Sequence, residues 1–247
     1  MTASGPSRPA EPVAEPPGSS PVAAATPLVD EASRQLRAPW AASVAGLLFA
    51  IFFAVALVLM RSQALVHAGD AELVEIFATG GELAGLIGGL YLAPFAGIMF
   101  LWFVAVIRDQ VGEREDRFFA TVFLGSGLIF VAMLFAAAAV ASAPLVGARY
   151  LDQGAPTAAE IEGVRALSYT LLFAFATRAA AVFMLATATL GLKSGTFPRW
   201  FTWTGYLLGV MLLVAVAFLD WIILVLPAWV AVVSLFILRR ERSRRSA

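Results

Sequence analysis

Apolar residues in this chain gather into long runs separated by short charged segments. A helix needs about 20 apolar residues to cross a hydrocarbon core of roughly 30 Å. The runs "WAASVAGLLFAIFFAVALVLM" (40–60), "AGLIGGLYLAPFAGIMFLWFVAVI" (84–107), "FFATVFLGSGLIFVAMLFAAAAVA" (118–141) and "ALSYTLLFAFATRAAAVFMLATATL" (166–190) each reach that length. Pro94 predicts a kink in the second of them. The last run, 201–238, is about two span lengths. Asp220 divides it into two halves near the lower length limit, so the turn between them should lie shallow. The expected fold is all-α, a polytopic transmembrane bundle of six spans over residues 40–239.

The basic residues set an orientation for that bundle. With six spans and both termini in the cytoplasm, Arg8, Arg34, Arg37, Arg108, Arg114, Arg117, Lys193, Arg199, Arg239, Arg240, Arg242, Arg244 and Arg245 fall on the inner side. Only Arg61, Arg149 and Arg165 fall outside, where the loops are acidic: Asp70, Glu72, Glu75, Glu82, Asp152, Glu160 and Glu162. An excess of Lys and Arg on cytoplasmic loops is the ordinary signature of membrane insertion. Trp40, Trp102, Trp200 and Trp203 at inner ends, and Trp221 at an outer end, suit an interfacial aromatic belt.

Two flanking segments differ in material. Residues 1–39 are rich in Pro, Ala, Ser and Glu and poor in large apolar side chains, which predicts a disordered cytoplasmic tail. Residues 240–247 form a short basic tail suited to anionic lipid head groups. Two outer segments predict short surface helices. One begins at Asp70 as a cap and places Leu73, Ile76 and Phe77 on one side; the other has Thr157 and Glu160 at capping-box spacing.

Composition narrows the function. Hydrophobic residues make up 60 % of the chain and charged ones 14 %, and the net charge is zero, so bulk charge offers no basis for nucleic-acid binding. There is no Cys, and the single His, His67, lies outside every span. Haem ligation, thiolate metal sites and His-based nucleophilic catalysis therefore lack their residues, and no metal or cofactor is expected. Ser126 in "LGSGL" has no visible base. Of the seventeen basic residues only Lys193 is a lysine, a bias that suggests a GC-rich bacterial genome.

Packing signals remain. Gly81, Gly85, Gly89, Ala93 and Gly97 recur every four residues and form one slowly winding stripe. Small residues let helices approach closely in lipid, either inside the bundle or at a homo-oligomer seam. Thr170, Ala174, Thr177, Ala181, Met184 and Ala188 form a second seam, beside Arg178. An Arg at a span centre costs about 2.5–3.5 kcal/mol on insertion scales. Its guanidinium needs acceptors, and the nearest carboxylates in the topology are Glu82 and Asp220, with Tyr169 a further candidate. Backbone carbonyls with water, or an anionic ligand, are the alternatives.

The loop "RDQVGEREDRFF" packs Arg108, Asp109, Glu113, Arg114, Glu115, Asp116 and Arg117 into ten positions. It reads either as a solvated turn or as a docking surface for a partner. The block "FAGIMFLWFVAVIRDQVGEREDRFFATVFLGSGLIFVAMLF" (95–135) resembles the signature of an uncharacterised family of bacterial multi-pass membrane proteins, and "FPRWFTWTGYLLGVMLL" and "VLPAWVAVVSLFIL" are similar in style. The resemblance spans roughly 70–239. It implies a bacterial plasma-membrane protein and says nothing about activity. The expected function is non-enzymatic, through helix packing and through binding of the lipid bilayer or a membrane-protein partner. The alternative is a transporter or channel for ions or small molecules that uses Arg178.

Overall fold

The structure is a computed structural model and describes residues 39–61, 69–80, 83–111, 117–194, 198–214 and 222–245. The N-terminal tail up to residue 38, Gly81, Glu82, residues 112–116 and Asp220 lie outside these residues.

Seven helices account for the regular structure among the described residues: α1 (Pro39–Arg61), α2 (Asp70–Thr79), α3 (83–111), α4 (Arg117–Tyr150), α5 (158–194), α6 (Arg199–Val214) and α7 (Val225–Arg245). A 3-10 turn, Ile222–Leu224, leads into α7. The protein is all-α. Five stretches are long and apolar enough to cross a membrane: Trp40–Met60, Leu83–Arg108, Phe118–Tyr150, Ala158–Lys193 and Ile222–Arg239. The described part of α6 has 16 residues, about 24 Å at 1.5 Å per residue.

Two helices are longer than the apolar runs alone suggest. α4 continues past residue 141 to Tyr150 and carries Pro144 inside it. α5 starts at Ala158, so the expected outer surface helix and the span are one continuous helix. Its start is the capping box anticipated at Thr157. The Thr157 side chain accepts from the Glu160 backbone N–H at 3.3 Å, and Glu160 Oε2 accepts from the Thr157 N–H at 2.8 Å. At α2 the expectation needs correction. Gly69 occupies the N-cap position, and Asp70 Oδ1 instead accepts the backbone N–H of Ala158 at 2.7 Å. The first N–H groups of a helix have no intrahelical acceptor and carry the positive end of its dipole, so a carboxylate is well placed there. α2 is thereby tied to the start of α5. Its apolar side, Leu73 with Ile76 and Phe77, packs with Leu86 of α3 and Leu145 of α4.

The main packing runs α7–α1–α3–α4–α5–α6. A cluster of phenylalanines joins four of these helices. Phe100 of α3 lies 4.8 Å from Phe49 of α1, 5.0 Å from Phe130 of α4 and 4.9 Å from Phe183 of α5, ring centre to ring centre. All four are fully buried. Such pairs add about 0.5–1.5 kcal/mol each beyond their buried area.

The outside of the bundle is also apolar. α1 exposes Ile51, Val55 and Val58, α3 exposes Tyr91, Phe95 and Ile98, and α6 exposes Trp203, Leu207, Val210 and Val214. A water-soluble monomer rarely shows apolar patches beyond a few hundred Å²; lipid is the solvent that suits this surface. Hydroxyl groups follow the same logic by bonding carbonyls of their own helix. Ser126 donates to Val122 O at 2.7 Å, Thr187 to Phe183 O at 2.7 Å and Thr189 to Leu185 O at 2.9 Å. Within hydrocarbon the nearest carbonyl is the available acceptor.

Candidate functional site

Two of the long helices widen locally into π-helical turns, and the chemistry-bearing residues gather around them. In α5 the segment Thr170–Ala176 is π-helical, and the Thr177 backbone N–H reaches Leu172 O, five residues back. Two side chains at its end supply further donors. Thr177 Oγ1 donates to Leu172 O at 3.1 Å, and Arg178 Nη1 donates to Ala174 O at 2.6 Å. Thr177 is fully buried and Arg178 half-buried. Helical side chains tilt toward the helix N-terminus, so the arginine stem naturally reaches the turn before it.

Of the residues named around Arg178, Tyr169 stacks on Phe173 with ring centres 4.2 Å apart. Glu82 and Asp220 lie outside the described residues. Among the described residues the hydrogen bond of the guanidinium goes to a backbone carbonyl. The π turn also changes the seam expected along this helix. Thr177, Ala181, Met184 and Ala188 are buried, while Thr170 is exposed and Ala174 only half-buried. A widened turn holds more residues than 3.6, so positions before it rotate off the face that the later ones share.

In α3 the π-helical segment is Ile87–Leu92, and the Ala93 N–H reaches Gly88 O, again five residues back. Pro94 follows at once. The expected kink therefore takes the form of a widened turn, because Pro94 has no N–H to give and its ring crowds the carbonyl four residues earlier. The glycine stripe runs through this segment. Gly85, Gly89, Ala93 and Gly97 are all buried. A side chain on Gly89 would run into Ser142 of α4, and one on Gly97 into Phe135 of α4. Ala93 clusters with Ala56 of α1 and Ala138 of α4. The stripe thus faces α4 within one chain.

In the charged loop, Arg108 is exposed in the last turn of α3, Asp109 belongs to α3, and Arg117 begins α4. Glu113, Arg114, Glu115 and Asp116 lie outside the described residues. No cluster of three His, Cys, Asp or Glu side chains occurs among the described residues.

Three features went unread in the sequence. Gly205 and Gly209 let α6 close on α5: a methyl on Gly205 would lie 3.2 Å from Ala188 Cβ, and one on Gly209 3.3 Å from Ala181 O. Their four-residue spacing was a legible signal. The phenylalanine cluster had none, since its members are far apart along the chain. The third feature is a set of buried polar atoms with no hydrogen-bond partner: Ser142 Oγ, Ser234 Oγ and Trp229 Nε1. Each of these side chains packs against a glycine of another helix, respectively Gly89, Gly46 and Gly205.

Comparison of the chain with protein-family models, with curated proteins and with solved structures gave no match to any of them.

Proposed function

We propose that the chain is a six-span protein of the bacterial plasma membrane with both termini in the cytoplasm. In this reading it is non-enzymatic and works by binding lipid or a membrane-protein partner. The observation that carries the proposal is the double-sided apolar character of the bundle, with a phenylalanine core inside and an apolar sheath outside. The charge distribution supports the orientation. The end of the bundle that carries Arg108, Lys193, Arg199 and Arg239 is basic, and the end that carries Asp70, Glu72, Glu75 and Glu160 is acidic. The resemblance of residues 95–135 to an uncharacterised family of bacterial multi-pass membrane proteins supports the same reading.

A transporter or channel is the second reading, favoured by the charged Arg178 within a span and by the interrupted helices α3 and α5. One pair of experiments separates the two. A photo-crosslinking residue at Arg108 is expected to give one adduct of definite mass in cells. Melting of the purified protein is expected to be insensitive to the choice of anion. No adduct, together with an anion-specific stabilisation that vanishes in Arg178→Leu, would transfer the assignment to transport.

A further inference from the structure

Trp203, Leu207 and Val214 of α6 are 69 %, 71 % and 72 % exposed, more than any other large apolar side chain among the described residues. With Val210 between them they recur at steps of four, three and four residues, so they share one face of the helix. The opposite face, with Phe201, Gly205, Gly209 and Leu212, is buried. From Trp203 to Val214 the exposed stripe rises about 16 Å at 1.5 Å per residue. That is about half of a roughly 30 Å hydrocarbon core, the depth of one leaflet.

The stripe ends at a basic rim. α5 finishes at Ser194 and α6 begins at Arg199, so Lys193 and Arg199 lie at the same end of the helix pair, and both are exposed. No Asp or Glu occurs between Glu162 and Asp220, so the α5–α6 turn brings no carboxylate to this rim. Side chains around it are held in place. The Lys193 ammonium lies 4.3 Å from the centre of the Phe119 ring of α4. The Trp203 ring lies 5.9 Å from Tyr206, and Tyr206 OH shares a 2.8 Å hydrogen bond with Thr189 Oγ1 of α5.

We propose that this face of α6, together with its rim, is a binding site for one anionic phospholipid of the inner leaflet. Arg199 and Lys193 take the phosphate, Trp203 lies at the glycerol level, and an acyl chain follows Leu207, Val210 and Val214. A guanidinium forks onto two phosphate oxygens, and indole rings favour the level of the head groups. A second copy of the chain fits this face poorly. Copies in one membrane point the same way, so a two-fold pair through the stripe would set each basic rim against its twin. Like charges side by side are costly, whereas a lipid phosphate neutralises them. The inference deepens the lipid-binding reading and rests on the proposed course of α6 across the membrane.

The test is melting of the purified full chain in micelles of a nonionic detergent that carry either phosphatidylglycerol or phosphatidylcholine with the same chains, at one ionic strength. Phosphatidylglycerol at about 100 times its dissociation constant is expected to raise the melting temperature by about 5–10 °C over phosphatidylcholine. The double variant Lys193→Gln with Arg199→Gln is expected to melt like the parent in phosphatidylcholine and to lose that increment. Arg108→Gln, which removes an exposed cation from the last turn of α3, is expected to keep it. Equal melting of the parent in the two lipids would overturn the site. So would an increment that survives in the double variant, or one that falls equally in Arg108→Gln, which would make it an effect of diffuse surface charge. An equal increment from inorganic phosphate alone would reduce the site to an anion contact without a lipid. A dimer of the parent in phosphatidylcholine micelles that Leu207→Ser dissociates would give the face to a second copy. Quenching of tryptophan fluorescence by phosphatidylcholine brominated in its acyl chains, compared between the parent and Trp203→Phe, reports separately on the membrane reading. Quenching at Trp203 without a preference for phosphatidylglycerol would remove the site and leave α6 in lipid. No quenching at Trp203 would remove the membrane course of α6 itself.

Discussion

The two widened turns share a backbone distortion and differ in the side chains beside it. In α5 the residues that follow the distortion bring side-chain donors to it: Thr177 Oγ1 donates to Leu172 O and Arg178 Nη1 to Ala174 O. In α3 the residue at the matching place is Pro94, which gives nothing, and the facing hydroxyl, Ser142 Oγ, is itself without a partner. The difference separates a turn with side-chain donors beside it from one without. The side-chain bond to a carbonyl one turn back explains how a guanidinium is accommodated in a span.

The largest expected effect comes from a close part of the α3–α4 contact. Gly97→Leu would drive a side chain into the Phe135 ring. It should lower the melting temperature by about 5–10 °C, since overpacking a close contact costs 1–3 kcal/mol or more. Thermal denaturation followed by circular dichroism measures this. A much smaller drop would mean that α3 and α4 are less closely joined than α5 and α6.

Thr177→Val comes next. It keeps the shape of a fully buried side chain and removes one donor to Leu172 O. The expected fall is about 2–4 °C, one net hydrogen bond of roughly 1 kcal/mol. Ser142→Ala should show the smallest effect, a change within about 1 °C of the parent or a slight rise, since its hydroxyl has no hydrogen-bond partner. Equal losses for Thr177→Val and Ser142→Ala would erase the distinction between the bonded and the unpartnered hydroxyl.

Much of the scaffold could be read from the chain because its signals are local. Apolar run length marks the long helices, Thr157 and Glu160 mark the start of α5, and Leu73, Ile76 and Phe77 mark the buried side of α2. What escaped depends on neighbours. Asp70 looked like a cap for its own helix and accepts instead from Ala158, 88 residues away. The seam along α5 was drawn with a regular helical period, and the π turn before Thr177 displaced Thr170 and Ala174 from it. Pro94 signalled a break in α3 but not its form, and nothing in the local pattern around Ser142 shows that its hydroxyl meets a glycine of α3. Arg178 was visible as a charge in a span, whereas its acceptor follows from a distortion that composition does not encode.

The most direct test of the proposed architecture uses the natural lack of cysteine. Single cysteines placed at Gln153, between α4 and α5, and at Ser243, near the end of α7, are separated by α5, α6 and α7. Labelling with a membrane-impermeant maleimide in intact cells and in inverted vesicles reports the side of each. Six spans with both termini inside predict that Gln153→Cys reacts only in intact cells and Ser243→Cys only in inverted vesicles. Labelling of both positions from the same side would mean that one of these helices, α6 being the shortest, does not cross, and the six-span account would be wrong.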